Sequence, residues 1–565
     1  MIKSLKALVA ELLADSWQEL GFRGQLASIE VKPSERPEFG DFSSNIALVG
    51  ATRAKMAPRE LAEHLVPRLP EGTFSRVEIA GPGFINLFLL PETIQSQLRE
   101  ILKGGDQFGR VVQPTPTEIQ IEFVSSNPTG PLTVGHGRQA VLGDVLASLY
   151  EALGYRVTRE YYFNDEGRQI ELLTDSTAER VLEIGLGIEP DIPENGYEGE
   201  YLKEIASGTI DANQQVARAI EEMRKEKPQG LSRTRLYEHV DPTVLRREAT
   251  ERIIRSIKED LAELGVVFDT WFSERTLHER GEVAAALQAM KKQDGVYEKD
   301  GAIWLKAEEN GGVKDSVLIR SDGQPTYLMV DIAYHIDKRR RNFQHVINVQ
   351  GADHQVEQSS MKAAMRILGY PEDFLDYALH QFVSIKEGKS AARMSTRAGR
   401  FIPLSDLVQE LGRDVVRYFM VARKPESHLE FDLDLARAES MDNPVYYIQY
   451  AHTRIASIFR KAGVSAVDST EVDLSPLRAK EELDLIKRLD RFPEVVEEAA
   501  LGFAPHLLAD YALNLARVFH PYYTDYRVIG KDAKVMLARL ALLRGVQTVF
   551  RNCLQILGMS VPEAM

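Results

Sequence analysis

Apolar positions along this chain follow two rhythms, and the places where one gives way to the other mark its elements. At the start, Leu5, Leu8, Val9, Leu12, Leu13, Trp17 and Leu20 recur at helical spacing between charges, which predicts an amphipathic helix. Short strand-like runs such as "GPGFINLFLL" follow. Beyond the linker-like "VVQPTPTE", the run "TEIQIEFV" alternates, with β-branched or aromatic residues at its apolar positions, and predicts a strand. From Val141 the period lengthens: Leu142, Val145, Leu146, Leu149 and Leu153 mark one helix face, stopped at Gly154. "YRVTREYYF" then returns to the strand rhythm. "FQHVINVQGADHQ" is an apolar strand leading into the helical "VEQSSMKAAMRILGY", and "YALHQFVSI" is a further strand. Strands and helices alternating in this way predict parallel βαβ units. The stretch from about 170 to 290 is charged and helical without a strand rhythm, and reads as an insertion. Towards the end only helical stripes remain, in "YALNLARVFHPYY" and "VMLARLALLRGVQTVFRNCLQILG", with Gly558 as the expected stop.

Four regions follow: an N-terminal α+β domain at 1–105, a parallel-sheet region at 106–380 carrying the insertion, a basic loop and connecting region at 381–435, and an all-α helical bundle at 436–565. The 565 residues suffice for several cores. A formal charge of −15 speaks against a broadly basic nucleic-acid binder, although local patches rather than the sum decide such binding. One such patch is "DKRRRN", with Lys338 to Arg341, which is either a solvated face or a phosphate contact. The single cysteine, Cys553, rules out an internal disulfide framework and a cysteine-rich zinc site, and fits a reducing compartment. The N-terminus lacks the layout of a signal peptide and no apolar run reaches bilayer length, so the expectation is a cytoplasmic protein with no membrane contact.

The chemistry concentrates at strand ends. "NPTGPLTVGHGRQAVLGD" places Pro, Gly and one histidine between a strand and a helix. It reads either as an ordinary turn with a capping histidine, or as a loop that cradles phosphate at a helix N-terminus. In the second case Gly135 clears space for an anion, while His136 and Thr133 supply donors. A second strand ends in Gly351, Asp353, His354 and Gln355, and a third leads into "KEGKSAARMSTRAGR", a loop with Lys386, Lys389, Arg393, Arg397 and Arg400. Three such loops at three strand ends make a plausible nucleotide site.

These stretches resemble a class I aminoacyl-tRNA synthetase, and more closely an arginyl-tRNA synthetase. "TVGH" stands where that class carries HIGH, "RMSTR" where it carries KMSKS, and "GADHQ" matches its ribose-binding pattern. Similar to the arginine family in particular are "IEFVSSNPTGP", "YYFNDEGRQ", "DGQPTYLMVDIAYH", "SHLEFDLDLA", "DNPVYYIQYAHTR" and, near the N-terminus, "GDFSSNIAL". The resemblance spans the chain and implies a multi-domain α/β protein. Its Rossmann-like parallel-sheet catalytic domain carries a helical insertion, and is flanked by an N-terminal α+β domain and a C-terminal all-α helical bundle. It implies ATP with Mg2+ and no zinc, L-arginine and tRNA(Arg) as partners, and a monomer. The helical domain would bind the anticodon, the N-terminal domain the tRNA elbow, and activation in this family commonly requires bound tRNA.

The resemblance also implies roles. Thr133 and His136 face the ATP phosphates; Pro128, Gly130, Gly135, Gly351, Asp353 and Met394 belong to the ATP site; Arg393 and Ser395 close over the pyrophosphate. Asp331 and Tyr327 meet the guanidinium, Asn127 the α-carboxylate and Glu122 the α-amino group, with Gln355 also in the arginine site. Two positions depart from the family pattern. Thr133 replaces the first histidine of HIGH, and Thr396 replaces the fourth-position KMSKS lysine, which some arginine enzymes replace at the position of Gly130. The missing charge is therefore expected from Lys389, Arg393 or Arg397. Two other readings share parts of the pattern: a nucleotidyltransferase with the T-x-G-H loop, which has no use for the helical region, and a non-catalytic RNA-binding paralogue.

Overall fold

The structure, a computed structural model, describes all residues except 1–2, 23–28, 35, 227–230, 353–354, 389, 393–401, 464–470, 531 and 565; the side chains of 37, 355 and 390–392 are likewise not described. The chain forms two compact units: Met1–Val112 with Ser440–Gly502 and Leu507–Met565, and Gln113–Glu439 with Phe503–His506.

The second unit is built on five parallel strands: β1 (Glu118–Glu122), β2 (Arg156–Phe163), β3 (Thr270–Ser273), β4 (His345–Gly351) and β5 (Leu375–His380), in the order β5-β4-β1-β2-β3. The chain leaves β1 for β2 on one side and later returns to β4 on the other. The gap between β1 and β4 is therefore the switch point, where ligands of such sheets bind beyond the carboxyl ends of the strands. Register places Glu122 opposite Asn348 on one neighbour and Glu160 on the other, so a polar row crosses the sheet.

Helix α1 (Val134–Ala152) crosses from β1 to β2 and buries Val141, Val145 and Leu149 completely. Its Gly143 is required by packing: an added Cβ would lie 2.2 Å from the Phe123 ring. Helix α2 (Tyr327–Arg340) precedes β4 and α3 (Gln355–Ile367) follows it.

Between β2 and β3 stand, among the described residues, five helices, from Arg168–Leu186 to Pro242–Glu263, with a core of their own that includes Val181, Val216, Met223 and Leu236. The expected helical insertion is therefore present, but the stretch assigned to it also holds β3. Four residues, two of them aromatic, are too few to show alternation. "YALHQFVSI" likewise divides: β5 ends at His380, and Val383–Glu387 joins a different sheet, pairing with Leu429–Asp432.

In the first unit, an antiparallel sheet of Val31–Pro33, Phe42–Ser44, Phe84–Leu89 and Phe74–Ala80, in that order, shares one compact body with the C-terminal helices. The Asn552 amide donates to the carbonyls of Gly105 and Phe108, each at 2.9 Å, and Leu5 N–H donates to Asp490 at 2.9 Å. Helix Ala533–Ile556 is buried along most of its length from Ala538 onward, with Leu540, Leu543, Val546, Val549, Phe550 and Leu554 in the core of this body. Among the described residues no helix is long and apolar enough to cross a membrane.

Candidate active site

A cleft of about 410 Å³ opens at the β1/β4 switch point, lined among others by Glu122, Asn127, Tyr162, Glu274, Tyr327, Asp331, Gly351 and Glu357. It gathers carboxylates. Glu122 ends β1; its Oε1 accepts from Ser125 Oγ at 3.0 Å and its Oε2 from Lys338 Nζ at 2.6 Å. Tyr327 and Asp331 stand four residues apart at the start of α2, hence on one helix face. Tyr327 is 69 % exposed, so its ring is open to a ligand. Burial, then the charges of Glu122 and Glu274, push the Asp331 carboxyl up to about 8. Burial also raises Glu274, although the Tyr162 hydroxyl donates to its Oε2 at 2.5 Å. Carboxyls crowded in this way are held towards their neutral forms, and a bound cation would favour ionising them.

The segment after β1 is strained. Val124 has φ +66° and Ser125 φ +43°, a region that a β-branched residue rarely enters. Ser125 N–H donates to the Phe123 carbonyl at 2.9 Å, closing a three-residue turn around Val124. The turn brings Ser125 Oγ onto Glu122 while the same oxygen accepts Tyr162 N–H at 3.2 Å. Asn127 Oδ1 accepts Asn164 N–H at 3.3 Å, and its amide donates to Gln169 at 2.8 Å. Pro128 is buried, and a Cβ on Gly130 would approach the Tyr201 hydroxyl at 3.2 Å.

At the N-terminus of α1 the two readings of His136 merge. Thr133 N–H donates to His136 Nδ1 at 3.0 Å, so the imidazole does cap the helix. That bond makes Nδ1 an acceptor and leaves the ring proton on Nε2. Burial, reinforced by His380, pushes the imidazolium down to about 4, so His136 is neutral near pH 7 and offers an N–H donor rather than a charge. An added Cβ on Gly135 would meet nothing closer than Thr133 Oγ1 at 3.7 Å, so its own fold leaves the space beside it open. Gln139, one turn along α1, lines the cleft and donates to the Val349 carbonyl at 2.6 Å, which ties the loop to β4.

Of the residues expected in the site, Glu122, Asn127, Tyr327, Asp331 and Gly351 share the cleft, and Thr133, Gly135 and His136 form the helix terminus beside Gln139. Asp353, Lys389, Arg393, Met394, Ser395 and Arg397, and the side chain of Gln355, lie outside the described residues. Sequence reasoning missed Glu274, Tyr162 and Glu357. The basic run at Lys338–Arg341 is not one uniform face: Lys338 is buried against Glu122 and Arg341 pairs with Glu160 and Asp337, whereas Arg340 pairs with Glu282 at the surface and Arg339 donates to the Phe343 carbonyl.

Comparison with known proteins places the chain in a family. Residues 97–432 match the model of the class I tRNA synthetase (R) catalytic domain, residues 3–89 that of the arginyl tRNA synthetase N-terminal domain, and residues 448–565 that of the DALR anticodon-binding domain. The arginine–tRNA ligase of Thermotoga maritima is 41% identical over 570 residues, covering 100% of both chains. The chain belongs to the arginyl-tRNA synthetase family. The arginine–tRNA ligase of Legionella pneumophila (strain Paris) is 40% identical over 594 residues, again with 100% of both covered. The fold matches that of Thermus thermophilus arginyl-tRNA synthetase with a TM-score of 0.73, at 23% identity over 99% of this chain and 100% of that one. Membership in this class I family makes ATP the nucleotide of the site.

Proposed function

We propose that this protein is an arginine–tRNA ligase that activates L-arginine with ATP and transfers it to the terminal ribose of tRNA(Arg). The observation that carries the substrate is the carboxylate cluster of Glu122, Glu274 and Asp331 in one cleft beside the His136 loop. A guanidinium taken out of water needs acidic acceptors in fork geometry, which Asp331 and Glu274 supply, with the Tyr327 ring as an apolar cover. Glu122 receives the α-ammonium and Asn127 the α-carboxylate. Lysine, a point charge, leaves part of that acceptor set unpaired.

An arginine carboxylate oxygen attacks the α-phosphorus, the bond to the bridging oxygen breaks, and pyrophosphate leaves. A ribose hydroxyl of the tRNA then attacks the activated carbonyl and AMP departs with the anhydride electrons. The protein contributes position and charge. His136 donates from Nε2 to a phosphate oxygen, with Thr133 beside it. Mg2+ enters with ATP as part of the substrate. Because His136 is neutral, the positive charge for the pyrophosphate comes from Lys389, Arg393 or Arg397, in place of the lysine that Thr396 lacks. The sole cysteine is buried inside a helix, which leaves no thiolate set for zinc.

The aromatic ladder of Tyr446, Tyr450 and His520, with Arg454 4.7 Å from the Tyr450 ring, supports anticodon stacking by the C-terminal helices. A cytoplasmic monomer completes the reading. Charging of tRNA(Arg) by wild type, Asp331→Asn and Glu274→Gln tests it. Wild-type charging falls at least about a hundredfold in both variants, since each strands a guanidinium without its acceptor. Full charging by Asp331→Asn refutes the assignment.

A further inference from the structure

Behind the cleft wall lies a cation that the reaction itself does not use. Lys338 is on α2, two turns beyond Asp331 and on the same face. Its side chain is 0% exposed. Besides the 2.6 Å bond to Glu122 Oε2, Nζ donates to Asn348 Oδ1 at 3.1 Å and lies 4.3 Å from the centre of the Tyr334 ring. Asn348 is opposite Glu122 in register, and its amide nitrogen lies 3.0 Å from His335 Nε2. His335 Nδ1 in turn lies 2.8 Å from the Asp331 main-chain oxygen. Every group around the ammonium is thus fixed.

A buried ion pair is weak evidence for stability, because apolar side chains of similar volume often serve as well or better. A wall that only needed filling does not require this charge. Arginine brings two cationic ends, and the cleft offers carboxylates to either. Glu122 is neutralised from behind and presents the oxygen it shares with Ser125, whereas Glu274 meets the Tyr162 hydroxyl at 2.5 Å and, more distantly, His278 Nε2 at 3.6 Å rather than a lysine.

We propose that Lys338 is a positioning residue for the amino acid: by neutralising Glu122 from behind the wall it decides which end of arginine each carboxylate receives, and it holds the cluster in its cation-accepting state. This rests on the arginine site proposed above. Asp331 is faced by Glu122 from β1, Tyr162 from β2, Glu274 just after β3, Glu357 from α3 and Tyr377 from β5, with His335 and Lys338 further along α2. Of the groups that shift it most, Lys338 is the one that favours its ionised form.

The test is arginine-dependent ATP–pyrophosphate exchange by the full chain with tRNA(Arg) present, across pH, for wild type, K338M, K338Q and K338R. In K338M and K338Q the midpoint of the kcat/KM profile for arginine moves up by about one pH unit or more, and KM near neutrality rises about tenfold. K338R keeps both close to wild type. Where K338M fails to fold, K338Q decides alone, because its amide still donates to Glu122. A K338Q midpoint equal to wild type overturns the inference, whatever its KM. D331N separates the two claims: full arginine use by D331N defeats the site itself, whereas loss in D331N with an unmoved K338Q midpoint defeats only the role of Lys338.

Discussion

Arginine binding by the free protein should tighten as pH rises through neutrality, because the cleft must lose a proton to receive the substrate. Burial and the neighbouring carboxylates hold Asp331 at about 8 in the empty site. At pH 7 only about a tenth of it is ionised by that value. A guanidinium against it favours the carboxylate and pulls the bound-state value far down. The sign follows directly: raising pH removes the proton that competes with arginine, so affinity rises until the empty site is itself ionised. If the bound-state value falls to about 5 or lower, affinity increases about fiftyfold between pH 6 and pH 8, roughly 2.3 kcal/mol, and close to one proton is released per arginine at pH 7. Glu274, raised in the same direction by burial, adds to the trend rather than opposing it. Calorimetric titration in buffers of contrasting ionisation heat measures both the affinity and the proton count. Asp331→Asn removes the titrating group and flattens the profile. Equal affinity at pH 6 and pH 8, with no buffer-dependent heat, refutes the reasoning.

Three further outcomes are expected. His136→Ala lowers adenylate formation about a hundredfold to a thousandfold by removing a preorganised donor, and pre-steady-state product formation measures it; since His136 titrates at about 4, the wild-type rate shows no limb from this group between pH 6 and pH 8. Replacing Lys389, Arg393 and Arg397 together with Ala abolishes pyrophosphate release while arginine binding persists; unchanged exchange eliminates them as the source of the missing charge. Asp144→Ala leaves the fully buried Arg417, bonded to Asp144 at 2.5 Å, without that carboxylate, and destabilises the catalytic unit by about 3–5 kcal/mol in urea unfolding.

The elements were legible because their apolar periods differ. The alternation of "TEIQIEFV" became β1, and the stripe from Leu142 to Leu153 became the buried face of α1. Glu122 was readable at a strand end and Asp331 on a helix, each with the help of a motif. Glu274 was not, because it follows a four-residue strand and meets Asp331 only through the fold. Lys338 was misleading: a run of four basic residues looks like surface, and its burial depends on Glu122 and Asn348, which the sheet register brings side by side. The positive φ of Val124 has no sequence signal at all, since a β-branched residue is the last one expected there.

ATP–pyrophosphate exchange with arginine, lysine and citrulline, with and without tRNA(Arg), tests the proposed reaction most directly. Exchange with arginine alone among the three, whether or not it needs tRNA, is the predicted result, and its loss without tRNA would add that the site is completed by the nucleic acid. Exchange with lysine at a comparable rate, or none with any amino acid while tRNA still binds, would contradict it.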